Sequence, residues 1–294
     1  MTAVILDGRA LAKEIRQEVV VDVESFEAAH GFAPAVAVVR VGDDPASESY
    51  ARMIERNFNR VGMGFSMHVQ HESTSQAEVI HTVATLNDDD SVHGIMVQEP
   101  LPKSIDASAV RAALSAQKDI DGVSPINAGR LALAAPQGRP SGVLDYLVPA
   151  TPLGGLEILL RAGFALEGKR AVVVGRSNIV GKPMAFLLMQ HQATVTICHS
   201  RTADLPSVCR AADILCAAVG RAKMVKHDWV KSGAVVIDFG VNFLEGKMVG
   251  DVDFDSVVEI AGHITPVPGG TGPMTNVMLM KNVLAAASRQ VGRR

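Results

Sequence analysis

Apolar residues along this 294-residue chain follow two alternating periods. Leu11, Ile15 and Val19 recur every four residues and predict an amphipathic helix over 8–29. Ala35–Val39 is a short, β-branched run that predicts a buried strand. By the same reasoning we predict helices over 47–61, 76–86, 149–163 and 274–289, and strands over 65–69, 94–98, 171–174, 194–198, 213–219 and 234–238. Strands that alternate with helices predict an α/β fold with a parallel sheet.

A glycine turn follows the strand predicted over 171–174. Gly175 permits a tight turn, and Gly181 begins a helix that has Pro183 in its first turn. Backbone N–H groups and the helix dipole make such a turn a cradle for phosphate. Gly175 and Gly181 enclose five residues, so the G-x-G-x-x-G spacing of dinucleotide-binding proteins is absent. An ordinary strand–helix turn therefore stays an alternative.

The end of the next predicted strand indicates which dinucleotide would bind. An NAD site requires an acidic residue there, which accepts a hydrogen bond from the ribose 2′-hydroxyl. This chain has Ser200 and Arg201 instead, and Arg176 lies in the glycine turn. Because guanidinium groups bind phosphate in a bidentate manner, these residues favour the 2′-phosphate of NADP. For Arg201, an exposed surface charge is an equal alternative.

Composition narrows the class of protein. A chain of 294 residues predicts two domains, and a net charge of −3 gives no indication of a nucleic-acid or membrane partner. No apolar run approaches the length of a membrane helix. The three cysteines lack Cys-x-x-Cys spacing, so we expect them to be reduced and buried, as in cytoplasmic proteins. His68 and His71 lie on opposite faces of a predicted strand, and we predict no metal site.

Five segments together resemble the bifunctional methylenetetrahydrofolate dehydrogenase/methenyltetrahydrofolate cyclohydrolase family. They are VGDDPASESY (41–50), VQEPLP (97–102), KDIDG (118–122), GRSNIVGKP (175–183) and PVPGGTGPMT (266–275). The resemblance implies a homodimer of chains with two domains around a cleft. An N-terminal α/β catalytic domain over 1–148, with a returning C-terminal helix over 275–294, would bind a tetrahydrofolate one-carbon derivative. A Rossmann-like domain over 149–274 would bind NADP.

The resemblance also implies a reaction and a set of site residues. The family oxidises 5,10-methylenetetrahydrofolate to the 5,10-methenyl compound by hydride transfer to NADP, and usually hydrolyses the product to 10-formyltetrahydrofolate. The implied catalytic residues are Tyr50, Gln98 and Asp121, of which Asp121 would bind the pterin. The implied substrate-binding residues are Tyr50, Val97, Gln98, Glu99, Asp121, Pro268, Gly269, Gly270 and Gly272. The cofactor-binding residues are Gly175, Arg176, Ser177, Ser200, Arg201 and Val241.

One residue departs from the family pattern. Ile54 stands four residues after Tyr50, where the family has a catalytic lysine. Arg52 and Arg56 project roughly 160° to either side of position 54 on a helix, so neither replaces the amine. We therefore expect weak or absent cyclohydrolase activity. The alternatives are an NADP oxidoreductase for another one-carbon carrier and a non-catalytic paralogue that binds folate or nucleotide.

Two neighbours of this position also bear on the chemistry. Gln98 matches the family glutamine that orients the lysine, so here it would contact substrate or water, or merely satisfy backbone groups at the strand end. Glu99 stands where an apolar residue is usual. It is either a solvated surface charge or a carboxylate that binds water in the site. We predict that Asp119 stabilises a turn.

Overall fold

The computed structural model describes residues 2–134 and 145–292. In chain order the elements are β1 (Val4–Ile5), α1 (Gly8–His30), β2 (Ala35–Val41), α2 (Pro45–Arg60), β3 (Gly64–Gln70), α3 (Gln76–Asp88), β4 (Gly94–Val97), α4 (Ala107–Ala113), α5 (Pro125–Leu133), α6 (Ala150–Arg161), β5 (Arg170–Val174), α7 (Gly181–Gln190), β6 (Thr194–Cys198), α8 (Leu205–Arg210), β7 (Ile214–Ala217), β8 (Val235–Asp238), β9 (Asn242–Leu244), β10 (Lys247–Val249), α9 (Phe254–Val257), β11 (His263–Ile264) and α10 (Thr271–Val291). The α/β class predicted from the sequence is confirmed.

The chain folds into two compact units. The three-stranded unit consists mainly of Ile15–Arg130 together with the residues from Leu279 onward. The six-stranded unit consists mainly of Thr151–Met278 together with the residues before Ile15. The domain limits 1–148 and 149–274 stay predictions. The N-terminal segment groups with the six-stranded unit because β1 extends that unit's sheet beside β11.

The sheet of the three-stranded unit has the order β3-β2-β4, and both pairings are parallel. Side chains of β2 alternate between its two faces. Ala37, Val39 and Val41 pack in one apolar cluster with Val79 and Val83 of α3. Position 40 therefore faces the opposite side of the sheet, which α2 covers near its N-terminus.

The six-stranded unit has an all-parallel sheet in the order β1-β11-β8-β7-β5-β6. The sequence did not predict β1 or β11, because each has only two residues and neither shows an apolar period. An antiparallel hairpin of β9 and β10 was also missed. The strand predicted over 213–219 is shorter, and its last two residues belong to a loop.

The last helix corrects one prediction. The sequence predicts a helix that begins at residue 274, after a stretch rich in proline and glycine, yet α10 begins at Thr271. Pro273 is tolerated because it lies in the first helical turn, where backbone N–H groups have no intrahelical acceptor. Towards its other end, Asn282 Nδ2 donates to the carbonyl oxygens of Ile120 and Val148, at 2.7 and 2.9 Å. The later part of α10 thus belongs to the three-stranded unit.

Candidate functional site

In the six-stranded unit, the glycine turn after β5 has the geometry of a ligand cradle. Gly175 has a φ of +132°, and a Cβ atom there would lie 2.1 Å from the carbonyl oxygen of Ala218. A Cβ on Gly181 would lie 2.3 Å from the Gly175 carbonyl oxygen. Ser177 Oγ accepts hydrogen bonds from the N–H groups of Val180 and Gly181 at the start of α7. Only glycine fits at both positions, because the backbone segments approach so closely.

A cavity of about 620 Å³ opens beside this turn, at the carboxyl ends of β5, β6 and β7. Ligands of parallel α/β sheets bind at this edge. Of the predicted cofactor residues, four line the cavity: Gly175, Arg176, Ser177 and Ser200. Arg201 and Val241 are exposed and are not among the residues that line it. The cavity also contains His199, Thr202, Leu205, Arg221, Met224 and Trp229, which the sequence did not single out.

Two buried carboxylates hold the loops around this cavity. Asp251 accepts hydrogen bonds from the backbone N–H groups of Val219, Gly220 and Arg221, at 2.6 to 2.9 Å. Asp238 at the end of β8 accepts three more, from residues 240, 251 and 252. Burial raises the pKa of Asp238 to about 6, although those hydrogen bonds oppose the shift. The loop that carries Arg221 is therefore fixed by charge-assisted hydrogen bonds.

The predicted substrate loop, Pro268 to Gly272, is anchored on Asp238. Thr271 Oγ1 donates to the Asp238 carbonyl oxygen at 2.9 Å, within the six-stranded unit. A Cβ on Gly270 would lie 2.6 Å from the carbonyl oxygen of Pro266, so the loop folds tightly on itself. Pro268 and Gly272 are exposed, whereas Gly269 and Gly270 are buried.

In the three-stranded unit, the remaining candidates gather at the carboxyl edge of the sheet. Gln98 follows β4 directly and its N–H donates to the Val39 carbonyl oxygen. A parallel bridge pairs Ile95 with Asp119, and the chain turns directly afterwards, which places Asp121 near the end of β4. Burial and the nearby Asp121 carboxylate raise the pKa of the Tyr50 phenol on α2, so this side chain lies near Asp121. The structure thus brings together Tyr50, Val97, Gln98 and Asp121.

Asp121 is the most perturbed of these groups. Its side chain is partly buried, and this burial together with the nearby Asp119 and Glu99 carboxylates raises its pKa to about 7. Asp119 itself accepts hydrogen bonds from Val123 N and Ser124 N, so the prediction that it stabilises a turn is confirmed. Perturbed carboxyl groups of this kind are concentrated at functional sites.

Glu99 is partly exposed and forms an ion pair with Arg111 of α4 at 3.3 Å. The carboxylate therefore has a cationic partner on the protein surface, and it also contributes to the raised pKa of Asp121. Glu99 is therefore more than a solvated surface charge, because its carboxylate raises the pKa of Asp121, the predicted pterin-binding residue.

Ile54 is only 1% exposed and belongs to the core beneath α2. Arg52 and Arg56 are exposed, as the helical geometry predicted. Gln98 Nε2 donates to the carbonyl oxygen of Ser47 at 2.6 Å, near the start of α2. Its other amide atom, Oε1, is buried and accepts no hydrogen bond from the described residues. The glutamine therefore has a fixed amide with one unused acceptor.

Other expectations concern the chain as a whole. All three cysteine thiols are free and buried, as predicted, and burial raises the pKa of Cys209 and Cys216 to about 12. Among residues 2–134 and 145–292, no helix is long and apolar enough to cross a membrane. The same residues contain no group of three or more His, Cys, Asp or Glu side chains that could hold a metal ion.

Comparisons with known proteins agree with this architecture. Residues 6–121 match the catalytic domain of the tetrahydrofolate dehydrogenase/cyclohydrolase family, and residues 149–291 match the NAD(P)-binding domain of that family. A bifunctional protein FolD from Roseiflexus sp. (strain RS-1) is 52% identical over 295 residues, which covers 100% of this chain and 99% of that protein.

Solved structures extend the likeness to the fold. The bifunctional FolD dehydrogenase/cyclohydrolase from Campylobacter jejuni superposes with a TM-score of 0.92 at 41% identity, covering 98% of this chain and 99% of that one. The Trypanosoma brucei dehydrogenase-cyclohydrolase, solved with NADP cofactor and inhibitor, gives 0.91 at 36% identity, with 99% of each chain covered. Full-length identity of this degree, with both domains matched in order, shows that the chain belongs to the tetrahydrofolate dehydrogenase/cyclohydrolase family.

Proposed function

We propose that the protein catalyses the NADP-dependent oxidation of 5,10-methylenetetrahydrofolate to 5,10-methenyltetrahydrofolate. The observation that carries this proposal is the cavity beside the glycine turn, in a chain that belongs to the family. The cavity combines a backbone cradle at Gly175 with the cationic side chain of Arg176 and the hydroxyl of Ser200. No Asp or Glu is among the residues that line it.

These residues fit NADP better than NAD. A carboxylate at the end of β6 would accept from a ribose 2′-hydroxyl and repel a 2′-phosphate, and Ser200 occupies that end. Arg176 is exposed and would bind the 2′-phosphate through its guanidinium group. The N–H groups at the start of α7 would hold the diphosphate. NADP bound by these residues would supply the acceptor for the hydride of the methylene carbon.

The three-stranded unit would bind the folate. Asp121 would accept hydrogen bonds from the amino-pyrimidine edge of the pterin, a two-point contact that fits a carboxylate. Tyr50 would lie along the folate, and Gln98 would offer its free amide oxygen to the ligand. The hydride step requires positioning rather than proton transfer, so Ile54 does not prevent it.

Hydrolysis of the methenyl product has a different chemical requirement from the hydride step. That step requires activated water, and general acid–base catalysis by a side-chain amine is worth about 10²–10⁴ in rate. Ile54 is buried and carries no proton-transferring group. We therefore propose that cyclohydrolase activity is weak in this member of the family, and that it limits the second step.

Two assays on the purified protein test the proposal. NADPH absorbance should rise with 5,10-methylenetetrahydrofolate as substrate, and the decay of methenyltetrahydrofolate should be little faster than in buffer. Ile54→Lys should increase hydrolysis, whereas Ile54→Met is the matched control that keeps an apolar side chain. Robust wild-type hydrolysis that Ile54→Lys leaves unchanged would contradict the proposed deficit. Absence of NADPH formation, with folate still bound, would instead favour a non-catalytic binding protein.

We further propose a cytoplasmic homodimer, as the resemblance implies. The hairpin of β9 and β10 supports a protein interface, because Phe243 is 71% exposed and Leu244 is 45% exposed. Light scattering on the purified protein measures the oligomeric state directly. A monomer at assay concentrations would contradict the proposal.

A further inference from the structure

Arg40 is a buried cation that the proposed reaction leaves unexplained. It lies at the end of β2 and is only 8% exposed. Among the described residues it forms no ion pair within 4 Å, and its Nη1 atom is buried without a hydrogen-bond acceptor. Glu48 lies within electrostatic reach of Arg40, but its carboxylate is already bound by Arg52. A buried guanidinium nitrogen without an acceptor is costly, and such violations are concentrated at functional sites.

The parallel register places Arg40 beside Gln98. Val39 pairs with Val97, so the next positions, Arg40 and Gln98, lie side by side on neighbouring strands about 4.8 Å apart. Both face away from the cluster that contains Val39, and towards the start of α2, where Gln98 Nε2 binds the Ser47 carbonyl oxygen. The two side chains therefore share one face and one edge of the sheet.

Their unused atoms are complementary. Gln98 is 5% exposed, and its buried Oε1 lacks a donor in the same region where Arg40 Nη1 lacks an acceptor. The amide cannot rotate to exchange its ends, because a carbonyl oxygen facing Ser47 O would lose the hydrogen bond that Nε2 donates. The fixed positive charge of the guanidinium attracts the carbonyl oxygen, and hydrogen bonds in active sites often become short only when the substrate binds.

We infer that Arg40 is a positioning residue for the proposed reaction, which acts by holding the Gln98 amide in the orientation that contacts the folate. The inference rests on the proposed function for its substrate. Arg40 also supplies a permanent positive charge at this edge of the sheet, where Ile54 supplies none. The Ser47 carbonyl oxygen would hold the Nε2 end of the amide, and Arg40 would orient Oε1 through one lone pair, which leaves the second lone pair for the folate.

A set of four variants tests the pair in the full-length protein. Arg40→Met should lower kcat/KM for methylenetetrahydrofolate at least about tenfold, the value of one charge-assisted contact, with the KM for NADP unchanged. Arg40→Lys should retain part of the activity, because it keeps the charge. Gln98→Ala should match Arg40→Met, and the double variant should be no worse than Gln98→Ala. Arg52→Met, an exposed arginine on α2, is the control and should resemble the wild type.

Thermal unfolding separates positioning from structural support. A guanidinium group needed for folding predicts a lower Tm for Arg40→Met, whereas a positioning residue predicts an equal or higher Tm, because an unpaired buried charge is removed. Losses that multiply in the double variant would overturn the inference, as would an Arg40→Met enzyme that behaves like Arg52→Met. If Arg40→Met does not fold, the same inference is tested by comparing kcat/KM of Arg40→Lys with that of the wild type.

Binding of tetrahydrofolate, measured by calorimetry, distinguishes the two proposals. If the wild type binds tetrahydrofolate but does not reduce NADP, the proposed function fails. The inference about Arg40 then still predicts weaker folate binding in both Arg40→Met and Gln98→Ala, by equal factors. Unequal or absent effects on this binding would refute the inference even in an active enzyme.

Discussion

Each unit contains a carboxyl group with a raised pKa, and the two groups differ in their surroundings. Asp238 in the six-stranded unit accepts three backbone hydrogen bonds, and its pKa rises only to about 6. Burial and the neighbouring Asp119 and Glu99 carboxylates raise the pKa of Asp121 in the three-stranded unit to about 7. Asp238 therefore has the environment of a structural residue, whereas Asp121 lies among like charges.

The same contrast holds for the whole of each candidate site. Around the cavity, the loops are fixed by saturated carboxylates and close backbone contacts. At the sheet edge of the three-stranded unit, Gln98 and Arg40 retain unused buried polar atoms. A phosphate cradle works through rigid backbone geometry, whereas one-carbon chemistry requires polar groups that the fold itself does not satisfy.

The largest effect is expected at Gly175, where the cradle depends on the absence of a side chain. Gly175→Ala would place Cβ 2.1 Å from the Ala218 carbonyl oxygen at a φ of +132°. We expect a loss of about 3 kcal/mol of unfolding free energy and no measurable NADP binding. Gly163→Ala is the control, because its φ of +79° has open space around it and should cost about 1 kcal/mol. Equal losses in the two variants would show that the close contact does not matter.

Cofactor selectivity is the next largest effect. Arg176→Met should raise the KM for NADP by about 10- to 100-fold, because a charge-assisted contact with the 2′-phosphate is lost. The KM for NAD should change little. Ser200→Ala should also raise the KM for NADP, but by a smaller factor. Arg201→Met tests whether an arginine outside the cavity contributes to NADP binding. Equal losses with NAD and NADP would contradict the assignment of Arg176 to the 2′-phosphate.

A smaller effect should appear in the pH dependence of stability. The pKa of Asp121 is about 7 in the folded protein, above its ordinary value of 3.8, so the folded state binds this proton more tightly. The stabilisation is complete below the ordinary value and is lost as pH rises through about 7. The Asp121→Asn variant lacks this loss of stability, so its Tm should rise relative to that of the wild type between pH 5 and pH 8. A constant difference in Tm across that range would be evidence against the raised pKa.

The smallest effect concerns Glu99. Glu99→Gln removes one of the carboxylates that raise the pKa of Asp121, so the pH-dependent loss of stability should move to lower pH. The ion pair with Arg111 is partly exposed and its loss should cost only about 0.5 kcal/mol. Arg111→Met should have the opposite effect, because it leaves the Glu99 carboxylate unpaired near Asp121. If the pH-dependent loss of stability shifts in the same direction in Glu99→Gln and Arg111→Met, this explanation is refuted.

The sequence predicted features that depend on local pattern. The turn at Gly175, the strand before it and the helix after it follow from consecutive residues, and the resemblance added Tyr50, Gln98 and Asp121. Arg40 and Arg221 were missed for a different reason. Arg40 lies near the end of an apolar strand and Arg221 follows a loop glycine, so neither position has a local signature. Their significance depends on strand register and loop anchoring, which join residues distant in the chain.

The path of α10 has a consequence for biosynthesis. Asn282 donates hydrogen bonds to the carbonyl oxygens of Ile120 and Val148, and Gln290 donates one to the carbonyl oxygen of His93. These acceptors are therefore synthesised well before their donors. The sequence separation reaches 197 residues for the last pair. A ribosome that synthesises the chain from the N-terminus therefore releases the three-stranded unit before its final helix can dock. We therefore expect the three-stranded unit to complete its packing only after α10 has been synthesised.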